Sequence, residues 1–423
     1  MDLSLMAMVI YASIIGAAIG TASGLIPGIH VNTLAILMAV GMPIITDAVS
    51  GTVAAEDIPL LMSSAVVSAA VVHSFTDFVP SVFVGAPDAD EVLSLLPGHR
   101  LLRDGKGMLA VRSAASGSLV GASVSVILAI PLQYVMLSGL SDILEYATVP
   151  VLITVIAATI LHEKAPMRKL WALALMMVSG SLGCISMMSG AEWGGPTGIG
   201  SVLFPLLTGL FGLPPILQSS GSGEIPEQKD DIAGTDPMPG AKGVLAGGVA
   251  GWFPGVTATV CATMATIISK EDRPERFISM VSSVGTASVV FTLVTLSVTG
   301  NGRSGTMLVV KDVLGEGLTG FCSPSFAALL LSVAVASLLG YFITIRAGGA
   351  LSSMISGSDA SRMNKAILVV ICCLVALMTG LNGLALLAVS TAVGMLPSVS
   401  GVSRITLGGC LMVPVLLMRI GLL

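Results

Sequence analysis

Residues 20–34 read GTASGLIPGIHVNTL, and residues 247–261 read GGVAGWFPGVTATVC. Both contain G-x-x-x-G-x-x-P-G-[IV]: Gly20, Gly24, Pro27, Gly28 and Ile29 against Gly247, Gly251, Pro254, Gly255 and Val256. Each motif lies inside an apolar stretch. Proline has no N–H to give and clashes with the carbonyl four residues back, and glycine adds backbone freedom. Each Pro-Gly pair therefore interrupts a helix. A motif that recurs once in the same order points to two related halves.

The surroundings decide what kind of helix is interrupted. Of 423 residues, 54% are hydrophobic and only 10% charged, with a mean hydropathy of +0.97. A soluble domain needs about a quarter of its residues charged, so most of this surface faces something other than water. Apolar runs long enough for a ~30 Å hydrocarbon core recur along the chain, among them Leu3–Ser23, Met108–Leu132, Phe277–Thr299 and Ser325–Ile345. They do not alternate apolar with polar, as barrel strands do. Helices remain, because lipid offers backbone groups no other partner. The expected fold is an all-α polytopic membrane protein of about 10–12 transmembrane helices. The first apolar run lacks a basic approach and a cleavage site, and reads as a retained helix. The 49 glycines suit close helix packing.

A second match closes each half: Gly200-Ser-Val-Leu-Phe-Pro205 against Gly409-Cys-Leu-Met-Val-Pro414. The halves are placed at 1–217 and 243–423. The polar, Pro- and Gly-bearing segment 218–242 reads as a linker. Basic residues alternate between first-half loops: Arg100, Arg103, Lys106 and Arg112, then Lys164, Arg168 and Lys169, with none in the loops between. The positive-inside rule puts those two loops in the cytoplasm. In the second half the phase is roughly reversed, which predicts an inverted repeat. Inversion needs an odd number of crossings before the second half, yet six apolar candidates precede it. Either one segment re-enters without crossing, or one of the six is no span.

Behind each Pro-Gly the residues are polar for lipid depth: His30, Asn32 and Thr33, then Thr257, Thr259 and Thr263. A half-helix starting there presents unpaired N–H groups and a positive dipole end, an arrangement suited to an anion. Pro27, Gly28, His30, Asn32, Thr33, Pro254, Gly255, Thr257 and Thr259 are therefore the expected substrate site. The competing reading is that each Pro-Gly merely kinks its helix for packing. His73 and Asp77 share a helix face at i, i+4, and an ionisable pair at membrane depth is a candidate for coupling to Na+ or H+. The alternative places Asp77 at the interface, capping a turn before Pro80.

Other chemistry is thinly represented. There is no G-x-x-x-x-G-K-[ST] and no H-E-x-x-H. No cofactor or metal is expected, and the six cysteines read as small buried side chains. Sparse basic residues give no sign of nucleic-acid binding. The expected partners are membrane lipid and a small anion, in the cytoplasmic membrane, with a homo-oligomer left open. A lipid-phosphate translocase and an intramembrane enzyme using His73 and Asp77 are the alternatives.

The stretch Gly24-Leu-Ile-Pro27-Gly28-Ile29-His30-Val-Asn32-Thr33 resembles the G-x-x-P-G-[IL] signature of the TctA family. These are the large permease subunits of tripartite tricarboxylate transporters. Val79–Gly121, with Pro97-Gly98 and Arg103-Asp104-Gly105, is similar to a second region of that family, and Pro254-Gly255 to its duplicated pattern. His30 and Ala86-Pro87-Asp88 look most like a divergent archaeal branch. The resemblance implies carboxylate transport without enzymatic activity, a small membrane subunit and an extracytoplasmic solute receptor.

Overall fold

The computed structural model describes residues 2–26, 31–49, 51–84, 95–188, 193, 195–196, 202–218, 226–229, 236, 238–253, 256, 258–269, 271, 273–357 and 359–423. Every regular element among them is helical. In chain order they are α1 (Leu3–Leu25), α2 (Val31–Val49), α3 (Ile58–Thr76), α4 (Phe78–Val84), α5 (Leu95–Arg103), α6 (Gly107–Val135), α7 (Ser141–Leu161), α8 (Pro166–Met188), α9 (Leu203–Leu207) and α10 (Leu213–Gln218). The second half carries α11 (Met238–Trp252), α12 (Ala258–Ser269), α13 (Pro274–Thr299), α14 (Gly305–Leu314), α15 (Pro324–Ile355), α16 (Ala360–Ser400) and α17 (Gly409–Arg419).

Seven helical runs among the described residues are long and apolar enough to cross a membrane. The chain is a polytopic α-helical membrane protein. Two of those runs are helical hairpins. Gly139 (φ +114) stands between α6 and α7, and Gly380 (φ +65, ψ −158) divides α16 into two legs. Only glycine adopts such angles without strain. Both breaks are therefore made within the helical run, without a long loop.

The centre and the rim differ in burial. In the apolar 18-residue stretch that qualifies each span, 83% of residues are buried for Ile58–Phe83 and for Pro274–Thr299, against 17% for Gly107–Leu161. Thus α3 and α13 form the core, and α7 and α8 present Ile143, Ile153, Leu173 and Ile185 outward. The apolar run at 60–72 is part of a longer helical span, Ile58–Phe83. It lengthens through α3 into α4, with Asp77 N donating to His73 O at 3.0 Å and Ser81 N to Asp77 O at 3.2 Å.

The two central helices are gripped alike. A Cβ on Gly16, Gly20 or Gly24 of α1 would collide with Ala65 O, Ala69 O, or Thr76 and His73 O of α3. A Cβ on Gly243, Gly247 or Gly251 of α11 would do the same at Met280 O, Val284 O and Ser288 O of α13. Both series advance four residues at a time on both helices, so each pair runs parallel. One hydrogen bond repeats in the same register: Ser68 Oγ donates to Ser13 O, and Ser283 Oγ to Gly240 O, both at 2.5 Å. Subtracting 227 on α11 and 215 on α13 maps the second set onto the first.

Directions follow from the other contacts. Gly117 and Gly121 of α6 press on Ser279 and Ser283 of α13, so α6 and α13 are parallel. The end of α4 lies at the start of α6, where a Cβ on Gly107 would strike Phe83. The α3–α4 rod therefore runs against α6, and against α13. The linker touches the same end: Gln228 Oε1 accepts from Gly107 N at 2.8 Å, Gln228 Nε2 donates to Leu102 O at 3.0 Å, and Lys229 N donates to Gly105 O at 2.8 Å. This is the basic end of the molecule.

At the opposite end one buried amide joins three elements. Gln133 of α6 is 0% exposed; its Nε2 donates to Ser297 Oγ (2.9 Å) and Gly320 O (3.1 Å), and its Oε1 accepts from Cys322 N (2.9 Å). Removing it takes three hydrogen bonds away, although Ser297 Oγ keeps its bond to Val294 O at 2.7 Å and Gly320 and Cys322 are exposed. Gln133→Leu should therefore lower stability in detergent by about 1–2 kcal/mol, read as the midpoint of denaturant-induced loss of helicity.

The glycine grip gives a sharper contrast. Gly20→Val has to part α1 from α3 and should abolish the folded monodisperse species or cost ~3 kcal/mol or more. Gly41→Ala, where nothing lies within 4 Å of the added methyl, should be neutral or gain up to ~1 kcal/mol. Size-exclusion profile and melting temperature check both.

Candidate functional site

Each gripped helix is one leg of a hairpin. α11 starts at the basic end, and α12 returns there: Lys242 Nζ meets Glu271 Oε1 at 2.8 Å, and Arg276 joins Glu271 Oε2 (3.0 Å) to Asp236 Oδ2 (3.3 Å). α1 runs with α3, and α3 begins nine residues after α2 ends. Hence α2 returns to the end where α1 started. Pro27-Gly28 and Pro254-Gly255 fall in the connections between legs.

Pro27, Gly28, His30, Pro254, Gly255 and Thr257 lie outside the described residues. Asn32 and Thr33 belong to the first turn of α2, and Thr259 to the first turn of α12; their side chains, with that of Thr263, lie outside the described ones. Both returning helices begin three residues after the glycine, at Val31 and Ala258. The first N–H groups of such a helix have no partner within it.

The flanks of the two connections sit in different apolar clusters. Leu25 packs with Phe78, Val79, Val82 and Leu101. Phe253 and Val256 pack with Leu152 of α7, Met176 of α8 and Met412 of α17. The flanks of the two motifs thus sit in separate apolar clusters built from different helices.

His73 and Asp77 are brought together on one buried face, 3% and 6% exposed. Ser81 continues that face at i+8 and is 1% exposed. The face looks toward α1, because Ser23 Oγ lies 2.9 Å from His73 Nδ1. Ser23 Oγ is also 3.0 Å from Gly20 O. A hydroxyl has one proton. If it goes to Gly20 O, Nδ1–H donates to Ser23; if it goes to Nδ1, the ring is neutral with its proton on Nε2. Either arrangement keeps the contact between α1 and α3. Asp77 lies inside a continuous helix beside fully buried Phe75, Phe78 and Val79, so it does not cap an interfacial turn.

The register that superposes the halves puts Ser288 where His73 stands, Thr292 where Asp77 stands and Leu296 where Ser81 stands. The ionisable pair is confined to one half. Sequence reading found the pair but missed Ser23, whose signal was a hydroxyl one residue before a motif glycine. Among the described residues no group of His, Cys, Asp and Glu could hold a metal ion.

His99 sits on the short amphipathic α5, outside the spans, with Nε2 buried and making no hydrogen bond. Burial, with the Arg103 charge nearby, pulls its pKa down to about 4 from 6.5. The unfolded chain then binds the extra proton between these values, so stability is complete above about pH 6.5 and declines as pH falls toward 4, by at most ~3 kcal/mol. In His99→Leu that part of the acid sensitivity of the melting temperature should vanish; an unchanged pH profile would show that His99 does not carry it.

A sequence model of the tripartite tricarboxylate transporter TctA family matches residues 10–408. The chain is 26% identical over 303 residues to an uncharacterised protein of Methanocaldococcus jannaschii, covering 70% of this chain and 71% of that one. No solved structure matches it.

Proposed function

We propose, because this chain belongs to the tripartite tricarboxylate transporter TctA family, that it is the permease for a small organic anion, a di- or tricarboxylate. The single observation that carries the site assignment is the pair of hairpins gripped in the same register, each with Pro-Gly between its legs and a helix beginning three residues later. The N–H groups that open α2 and α12 supply a carboxylate with donors and a positive dipole end. Asn32, Thr33, Thr257 and Thr259 supply side-chain contacts.

The halves act as inverted repeats. α1–α2 enters from one end and α11–α12 from the other, and the α3–α4 rod runs against α13. With α1–α2 returning to its starting end, five passes precede the linker: α3–α4, α6, α7, α8 and α9–α10. That is an odd number, as inversion requires. The basic end carries Arg100, Arg103, Lys106, Arg168, Lys229, Arg276 and Arg404 and faces the cytoplasm. An extracytoplasmic receptor and a small membrane subunit complete the system, as in the family's tripartite arrangement.

Coupling falls to His73 and Asp77, which stand beside the first hairpin only. A buried ionisable pair at this depth is costly unless it is used.

The test is uptake of labelled citrate and succinate into proteoliposomes under imposed Na+ and H+ gradients. Wild type should accumulate at least one of them unchanged. Gly28→Leu and Gly255→Leu should each weaken binding at least ~10-fold, about 1.4 kcal/mol, and Asp77→Asn should abolish accumulation while leaving exchange. Full uptake in both glycine variants would sink the hairpin site. Chemical conversion of either acid by the purified protein would make it an enzyme instead.

A further inference from the structure

Two connections meet at one corner of the basic end. One joins α7 to α8 and carries Glu163 and Lys164, with Arg168 and Lys169 in the first turn of α8. The other joins α16 to α17 and carries Gly401, Ser403 and Arg404. Direct contacts hold them together. Buried Glu163 accepts from Ser403 N through Oε1 at 2.8 Å. Val402 packs with Ala172 and Leu175 of α8 and with Ile160 of α7. The guanidinium of Arg168 lies against Gly401, where a Cβ would stand 3.7 Å from its Nε and NH2. Arg404, three residues on, donates from NH2 to the neutral Oε1 of Gln218 at 2.7 Å.

The charges at this corner do not balance. Lys164, Arg168, Lys169 and Arg404 stand here with Glu163 as the one acid of the two connections. Among the described residues no carboxylate pairs with any of these cations. Helix stability does not account for them either. Cations in the first turn of α8 oppose its dipole, and the C-terminus of α16, on which Arg168 rests, offers only a partial negative charge.

The corner also lies on the rim. Leu161, which ends α7, and Met167, Leu170 and Trp171, which flank Arg168, are exposed. Leu173, Met177 and Ile185 continue that apolar face along α8. On a membrane span such a face meets acyl chains, and tryptophan is enriched where chains give way to headgroups. The unpaired cations thus stand at headgroup level beside side chains that face lipid. We propose that Arg168 and Arg404, flanked by Lys164 and Lys169, bind the phosphate of an anionic phospholipid whose acyl chains lie along α8. The phosphate gives both guanidiniums a charged acceptor, as basic pockets between membrane helices do for acidic lipid headgroups. It bridges α8 to the turn that leads into α17. Met176 of α8 and Met412 of α17 pack in the cluster that holds Phe253 and Val256, so the bound lipid braces one side of the second hairpin.

The experiment counts bound lipid and needs no transport. Purified, delipidated protein is mixed with phosphatidylglycerol or with phosphatidylcholine of the same acyl chains, and complexes are quantified by native mass spectrometry over a concentration series. Phosphatidylglycerol should bind at least ~5-fold more tightly, and Arg168→Gln and Arg404→Gln should each weaken it about 5-fold. Arg362→Gln, which removes an exposed cation on α16, should change nothing. Arg168 is exposed, so its variant keeps the test valid should Arg404→Gln not fold. Equal affinity for the two lipids overturns the proposal, as does a preference for phosphatidylglycerol that Arg168→Gln retains in full. Displacement of the lipid by millimolar inorganic phosphate also overturns it, because the corner is then a site for free phosphate.

Discussion

Everything in this architecture depends on how closely two helix backbones approach. Lipid gives apolar side chains no incentive to leave it for one another, so association in the membrane rests on packing and interhelical hydrogen bonds. Here packing is taken to its limit. Gly16, Gly20 and Gly24 set α1 against the backbone oxygens of α3, and Gly243, Gly247 and Gly251 set α11 against those of α13. The hydroxyls of Ser68 and Ser283 then reach across to main-chain oxygens one turn earlier. That reach is possible only because no Cβ stands between the helices. The grip fixes one leg of each hairpin along most of its length. The second leg is tied at its open end, where Glu271 holds both Lys242 and Arg276. What remains to be positioned is the connection between legs.

A connection so placed answers a problem of backbone chemistry. Irregular backbone at membrane depth is tolerated only where protein buries it or a cavity solvates it. The clusters around Leu25 and around Phe253 and Val256 bury the flanks of the two connections. The outgoing legs end there with carbonyls that lack intrahelical partners, and the returning helices start with N–H groups that lack them too. On the proposed function it is the N–H groups opening α2 and α12 that an anion would engage.

Much of this was legible in the sequence because composition and periodicity report on solvent. Continuous apolar runs without alternation leave helices as the sole solution in lipid, and Pro27-Gly28 and Pro254-Gly255 mark their own interruptions. The glycines at 20, 24, 247 and 251 were visible as a motif, but which surface they touch was not, since a helix face carries no record of its partner. At Gly139 and Gly380 it is the positive φ that locates the break in each long helical run. Gln133 and Ser23 were missed for a common reason. Each acts through a contact fifty or more residues away, which leaves no local pattern. The six apolar candidates of the first half were counted as equals, although the first returns through α2 to the end it came from.

The two halves share a scaffold and differ in charge, and the difference has a direction. Where the register places His73 and Asp77 beside the first hairpin, it places Ser288 and Thr292 beside the second. A hydroxyl can hydrogen-bond at any pH but cannot change its charge in the accessible range, whereas imidazole and carboxylate can. On the proposed coupling, a transporter whose halves were alike in charge would respond to an ion gradient equally from both sides and gain no direction from it. Confining the ionisable pair to one hairpin breaks that equivalence while leaving the glycine grip untouched. On the proposed topology, duplication supplied two mirror-related seats for one kind of anion, and a handful of side-chain changes at the register positions of α3 and α13 gave them different electrostatic tasks.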